Sequence, residues 1–257
     1  MTTAELVVVK LGGETFAARQ DALHGVVEAA ARHRLVLVHG GGKRLSAWLE
    51  RLGIETRFEG GLRVTDGAAL EGAVAVLGGV INTELVAALS SLGLPAVGLT
   101  GADGGLIVAE RLPHLGHVGR VVEALPRVIE ALVDGGLVPV VAPLGIDETG
   151  AICNVNADDV AAGLAAALSA RLVLLTDTDG VRSADGRTVD RLDEPLAEAM
   201  IEGGTISGGM IPKVRGALAA LRAGSREVII AEGRDAASLV RALEDPSFGT
   251  RFAPRTR

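Results

Sequence analysis

Short apolar runs alternate with amphipathic stretches along almost the whole chain. LVVVK (6–10), LVLVH (35–39), PAVGLT (95–100), LVPVVAP (137–143), RLVLLT (171–176) and REVIIA (226–231) are apolar and mostly rich in β-branched residues, the pattern of buried strands. Helical periodicity fills the intervals near 20–33, over KRLSAWLERLG from 43, at about 67–78 and 80–92, and over PRVIEALVDGG from 126. It returns after 156, near 195–203, near 212–223 and at 235–244. Pro126 suits a first helical turn and Gly135 a helix end. LIVAERL (106–112), after a Gly/Asp turn, predicts a hairpin rather than a crossover.

Strands that are apolar on both faces and separated by helices predict an α/β fold with a mostly parallel sheet covered on both sides. Such sheets take ligands beyond the carboxyl ends of their strands, here the loops after 10, 39, 100 and 176 and the segment 152–158. No linker and no internal repeat interrupts the 257 residues, and a second lobe is expected to begin near 170, giving lobes 1–169 and 170–257.

Composition narrows the partners. A net charge of −7, scattered basic residues and 2% aromatics with no tyrosine exclude the usual stacking and phosphate-tracking surfaces for nucleic acid. Mean hydropathy is +0.38. The longest uncharged stretch, Leu85 to Ala102, contains Ser90, Ser91, Gly93 and Pro95 and predicts a helix end, a turn and a strand, not a membrane span. The start, MTTAELVVVK, lacks a secretory pattern, and the single cysteine, Cys153, fits a reducing compartment, so the expectation is a cytoplasmic protein. The 35 glycines cluster as Gly12-Gly13, Gly40-Gly41-Gly42 and further pairs, mostly where periodic segments end. That placement predicts turns of close backbone approach.

Lys10 ends the first strand before Gly12-Gly13, and His39 ends the second before the glycine triple and Lys43. Neither loop has Walker A or G-x-G-x-x-G spacing. Each could nonetheless offer backbone N–H groups to phosphate oxygens, or be a plain strand-to-helix turn. In AICNVNADD, residues Asn154, Asn156 and Asp158 alternate, so an extended chain points all three to one side. The same segment is a helix start with Asn156 as N-cap and Asp159 in the first turn, and both readings can hold. Lys213 sits near a helix N-terminus, where the dipole disfavours it. Arg63 follows a glycine pair and precedes a helix start at Thr65 or Asp66; its fork can grip a carboxylate or simply be solvated. His39 is expected to pack, and His114 and His117 lack ligand partners for a metal.

The segments VVKLGG, VLVHGGG, GLRVT, LGHVG, LVPVVAPLGID, ICNVNAD, LLTDTDGV and GGMIPKV, in this order over nearly the whole chain, resemble the amino-acid kinase family, with GLRVT and NVNAD pointing to its acetylglutamate-directed branch. The resemblance implies a three-layer αβα sandwich with a mostly parallel central sheet and two lobes sharing it, the first binding the amino acid and mediating dimerisation, the second binding ATP. It implies transfer of the ATP γ-phosphoryl to the side-chain carboxylate of N-acetyl-L-glutamate, the second step of the acetylated route to arginine. By that resemblance Lys10 and Lys213 stabilise the transferring phosphoryl group, Asp158 holds both lysines, and Gly12, Gly13, Gly41 and Gly42 offer N–H groups. Arg63, Asn154 and Asn156 then bind the acceptor, and Thr176, Asp177 and Met210 lie near the nucleotide. ATP would arrive with Mg²⁺ held mainly by its phosphates, with no protein metal site.

The chemistry agrees. A glutamate carboxylate, with an ordinary pKa of about 4.3, is already an anion at neutral pH and needs no general base. The obstacle is repulsion between that anion and a triphosphate, which cations and N–H dipoles offset. In the family, arginine-inhibited members carry an extra N-terminal helix linking dimers into a hexamer. About five residues precede the first strand here, so the expectation is an arginine-insensitive homodimer. Two alternatives stand beside this reading: a kinase for a related carboxylate such as N-acetyl-aminoadipate, free or carrier-bound, and a non-catalytic nucleotide or amino-acid sensor on the same fold.

Overall fold

A computed structural model describes residues 4–12 and 20–253. Gly13 lies outside the described residues. Eight strands form the central sheet: β1 (Leu6–Leu11), β2 (Arg34–His39), β5 (Ala96–Thr100), β8 (Val138–Ala142), β11 (Arg171–Thr176), β12 (Arg191–Leu192), β13 (Glu227–Glu232) and β14 (Thr250–Phe252). Their order is β12-β14-β13-β11-β1-β2-β8-β5, and only the β13–β14 pairing is antiparallel. The strands from the two halves of the chain meet at β1 and β11, in register from Val7↔Arg171 to Leu11↔Leu175.

The continuous apolar runs are explained by burial on both faces. Val8, Val36, Val38, Leu172, Leu174, Val228 and Ile230 point into one core with the helices Ala157–Ala167 and Met210–Arg222. Their neighbours Val7, Val9, Leu35, Leu37, Val173, Leu175 and Ile229 point into a second core with the helices Gln20–Ala30 and Ala237–Glu244. Alternation along each strand feeds both layers, which gives the three-layer sandwich.

Outside this sheet, β6 (Ile107–Arg111) and β7 (Val118–Ala124) form the expected antiparallel hairpin. With β9 (Leu144–Ile146) and β10 (Ile152–Val155) they close into a small four-stranded barrel. A two-stranded ribbon, β3 (Phe58–Glu59) and β4 (Leu62–Arg63), carries Arg63.

One expectation is corrected. The two helices at 67–78 and 80–92 are a single helical run, Gly67–Ser91, that widens into π-helical turns over Val74–Ile81. Gly78-Gly79 does not break it, because a Cβ on Gly78 would stand 3.2 Å from Thr100 Cγ2 and 3.4 Å from Leu144 Cδ1. The small residue thus lets the helix lie close on the sheet and barrel. By length and composition alone this run could cross a membrane. Here Val76, Leu77, Ile81, Leu85 and Leu89 are buried within the fold, and the buried Asn82 amide donates to Val140 O at 2.9 Å.

Candidate functional site

The carboxyl ends of β1 and β2, the ribbon and the β10-to-helix junction surround one cavity of about 370 Å³. Its lining includes Lys10, Gly40, Gly41, Gly42, Lys43, Arg63, Leu77, Asn154, Asn156 and Asp158.

Asp158 is the electrostatic centre. Its Oδ1 lies 2.8 Å from Lys10 Nζ and its Oδ2 lies 3.4 Å from Lys213 Nζ. Burial by itself would raise this carboxyl; the Lys10 and Lys213 ammoniums outweigh it and hold the group below the ordinary carboxylate range. Lys10 ends a central strand, and Lys213 stands in the first turn of the helix Met210–Arg222, which packs against the Asp158 helix. Two amines from distant parts of the chain therefore converge on one acid. The neighbouring Asp159 moves the other way: burial first, then the charge of Asp158, push it up to about 6.

The alternation of Asn154, Asn156 and Asp158 ends sooner than expected. Asn154 is in β10, but Asn156 is the N-cap of the helix Ala157–Ala167, its Oδ1 accepting from Asp158 N at 2.7 Å. Asp158 is already helical, and all three residues still border the same cavity. The helix-start reading holds, and the extended reading stops at Val155, the last residue of β10.

Glycine is required at two points. At Gly12 a Cβ would come within 2.3 Å of Leu175 O and 3.4 Å of Lys10 Nζ. Gly41 has φ +157°, and a Cβ there would strike Ile81 Cδ1 at 2.4 Å. Gly41 caps the helix Gly42–Arg51 with no side-chain hydrogen bond, so the N-terminus of this helix reaches the cavity without a capping side chain.

Arg63 is only 7% exposed, and no carboxylate among the described residues pairs with it. Burial pulls its guanidinium down from the ordinary value, yet an arginine stays cationic. It donates from Nη2 to Gly42 O at 2.8 Å and Ser46 Oγ at 2.7 Å, and from Nη1 to Thr56 Oγ1 at 3.2 Å, and lies over the Phe58 ring. Two of its five N–H groups remain uncommitted. A buried cation with no carboxylate partner among the described residues, beside a cavity, is suited to receive an anion. Ser46, Thr56 and Phe58 were not anticipated as parts of this setting; only Ser46, one helical turn after Gly42, had a readable signal, and the helix expected to start at Thr65 or Asp66 has Asp66 as its N-cap.

Thr176 ends β11 and Asp177 follows it, and neither is in the cavity lining. Thr176 donates to Asp177 Oδ1 at 3.0 Å, and this bond first, then backbone and the charges of Lys213 and Arg234, hold Asp177 below its ordinary value. Met210 opens the helix that carries Lys213. His39 is buried and its pKa lowered by that burial; its Nδ1 donates to Gly40 O at 2.8 Å and its Nε2 accepts from Asn82 at 3.2 Å, which is packing, as expected. Cys153 is buried, and burial pushes its thiol up. Among the described residues no group of three or more His, Cys, Asp or Glu could hold a metal ion.

The arrangement is one of anion placement: two amines on one acid, a buried guanidinium with no carboxylate partner among the described residues, and a helix N-terminus without a side-chain cap. The profile described as the amino acid kinase family matches residues 5–232. The acetylglutamate kinase of Rubrobacter xylanophilus is 48% identical over 247 residues, 95% of each chain. That of Methanopyrus kandleri is 44% identical over 87% of this chain and 93% of its own. A carbamate kinase from Giardia lamblia bound to AMP-PNP, 20% identical, shares the fold with a TM-score of 0.73 over 99% of this chain and all (100%) of its own.

Proposed function

The chain belongs to the amino acid kinase family, and from that premise we propose that it transfers the γ-phosphoryl group of ATP to the side-chain carboxylate of N-acetyl-L-glutamate, in arginine biosynthesis. The acceptor's carboxylate oxygen forms a bond to the γ-phosphorus, the bond to the β,γ-bridging oxygen breaks, and ADP leaves with that electron pair. The product is an acyl phosphate. The single observation that carries the reading is the pair of ammoniums held on Asp158, in the lining of a cavity that also contains Arg63, which has no carboxylate partner among the described residues.

Roles follow from charge. Lys10 and Lys213 neutralise the phosphoryl group as it passes between two anions, and Asp158 keeps both amines aimed there. Gly12, Gly41 and Gly42 supply N–H groups, Arg63 takes the acceptor's α-carboxylate, and Asn154 and Asn156 take its remaining polar groups. Thr176, Asp177 and Met210 flank the nucleotide. Mg²⁺ arriving on the phosphates adds further neutralisation. In this assignment the half before residue 170 holds the acceptor and the dimer contact, and the half after it holds ATP. We place the enzyme in the cytoplasm as a homodimer, which light scattering tests. The kinase for N-acetyl-aminoadipate is not favoured, because the relatives that match over most of the chain are named acetylglutamate kinases.

The test is a coupled ADP-release assay with N-acetyl-L-glutamate, glutamate, aspartate and N-acetyl-aminoadipate, with hydroxylamine trapping of the acyl phosphate. N-acetyl-L-glutamate is expected to give the highest kcat/KM and a hydroxamate. Absence of turnover with every acceptor would overturn the assignment.

A further inference from the structure

Thr65 is fully buried, and its hydroxyl stands between two groups of the site: it is 2.8 Å from Arg63 O and 3.1 Å from the Asn154 side-chain amide. A carbonyl oxygen can only accept, and a hydroxyl has one hydrogen. Thr65 therefore donates to Arg63 O and must accept from its other neighbour. That neighbour has to present Nδ2, which fixes which end of the Asn154 amide faces the protein. The opposite end, Oδ1, receives no donor among the described residues, and Asn154 borders the cavity.

Thr65 is itself held by backbone. Its N–H donates to Leu115 O at 2.9 Å and its carbonyl accepts from His117 N at 2.7 Å, while His117 O accepts from Asn154 N at 2.8 Å. Gly116 makes this approach possible, since a Cβ there would fall 2.3 Å from Thr65 O. Thr65 and Asn154 are thus both tied through backbone to the segment 115–117.

We propose that Thr65 is a positioning residue that sets the acceptor specificity of the cavity: by locking the Asn154 amide with Oδ1 outward, it makes the site select an acceptor carrying a hydrogen-bond donor, the N–H of an acylated amine. This rests on the reaction proposed above. An acceptor with an ester oxygen in place of that N–H puts two acceptors face to face and leaves both unpaired.

The experiment compares N-acetyl-L-glutamate with its ester isostere, 2-acetoxyglutarate of the same configuration. Wild-type enzyme is expected to prefer the amide by at least about tenfold in kcat/KM. In Thr65→Val the hydroxyl is gone, the amide can turn its Nδ2 to the ester oxygen, and the preference shrinks several-fold towards unity. Thr65→Ser restores it. A merely structural role would lower turnover of both acceptors together and leave the ratio unchanged, so an unchanged ratio in folded Thr65→Val overturns the proposal. Equal use of both acceptors by the wild type overturns it as well, and that arm decides alone if the valine variant does not fold. No wild-type turnover of N-acetyl-L-glutamate would instead defeat the reaction itself, and this inference with it.

Discussion

Replacing Asp158 by asparagine removes the negative charge between Lys10 and Lys213 while keeping the side chain's size. The separations of 2.8 and 3.4 Å correspond to gross attractions of about 6 and about 5 kcal/mol at an effective dielectric near 20. Much of this is cancelled. The side chains of Lys10, Asp158 and Lys213 keep 13%, 27% and 28% of their surface in solvent, and burial opposes ionisation of the acid. If about 3 kcal/mol of positioning survives, kcat falls about 10²-fold. ATP binding should not weaken in parallel, because the two amines now repel each other and a polyanion relieves that repulsion. Steady-state kinetics with varied ATP and a nucleotide titration separate the two effects. A kcat within about threefold of wild type, or an ATP Kd that rises as far as kcat drops, would falsify the positioning role. The acid side gives an independent check. Because Asp158 is depressed in the fold, its contribution is present above the ordinary carboxylate pKa and is lost as pH falls through the depressed one. The asparagine variant lacks that acid-linked loss.

Three further outcomes follow from the geometry. Arg63→Ala removes charge-assisted hydrogen bonds worth about 1.5–3 kcal/mol each, so KM for the acceptor should rise about 10- to 100-fold with a smaller change in kcat; a fall confined to kcat would reassign the residue. Gly12→Ala should lower Tm and activity together, since its Cβ would press on Leu175 O at 2.3 Å across the β1–β11 pairing, whereas Gly42→Ala, with nothing within 4 Å, should keep its Tm. Equal melting of the two variants would contradict the packing argument. His39 is kept neutral by burial, so the unfolded chain takes up its proton first as pH falls below about 6.5, and stability drops from there through the lowered folded value. Urea midpoints at pH 7.5 and 5.5 should show a smaller drop for His39→Gln than for wild type.

The sheet was legible because its strands are buried on both faces: Val7 and Val9 serve one core and Val8 the other, leaving an unbroken apolar signal. The strands that escaped notice, β3, β4, β9, β12 and β14, are two or three residues long. Pairings such as Arg191↔Arg251 depend on distant register, which no local pattern encodes. The π-helical run was divided at Gly78-Gly79 because glycine is a poor helix former, and close packing against Thr100 and Leu144 overrode that propensity. At the site, Lys10 and the Asn154–Asp158 segment stood out as polar groups at strand ends. The link from Asp158 to Lys213, 55 positions apart, came from family resemblance and not from spacing. Arg63 was singled out as a possible carboxylate grip, but its burial and the absence of a carboxylate partner among the described residues are tertiary facts.

The three charges are not held alike, and the difference bears on how the reaction cycle can move. Lys10 is fixed in a central strand paired on both sides, with β2 and β11, and its side chain is the least exposed of the three. Asp158 is fixed by a helix start whose N-cap Asn156 bonds its own backbone N–H. Lys213 belongs to a helix whose N-cap, Gly209, makes no side-chain hydrogen bond, and it has the longer contact and the larger exposure. Sheet hydrogen bonds across the β1–β11 pairing tie the two halves together, so under the proposed assignment the expected place for adjustment to a nucleotide is the helix that carries Lys213. On that proposal Asp158 and Lys10 would define where the acceptor's carboxylate meets the phosphorus, and Lys213 would follow the phosphoryl group.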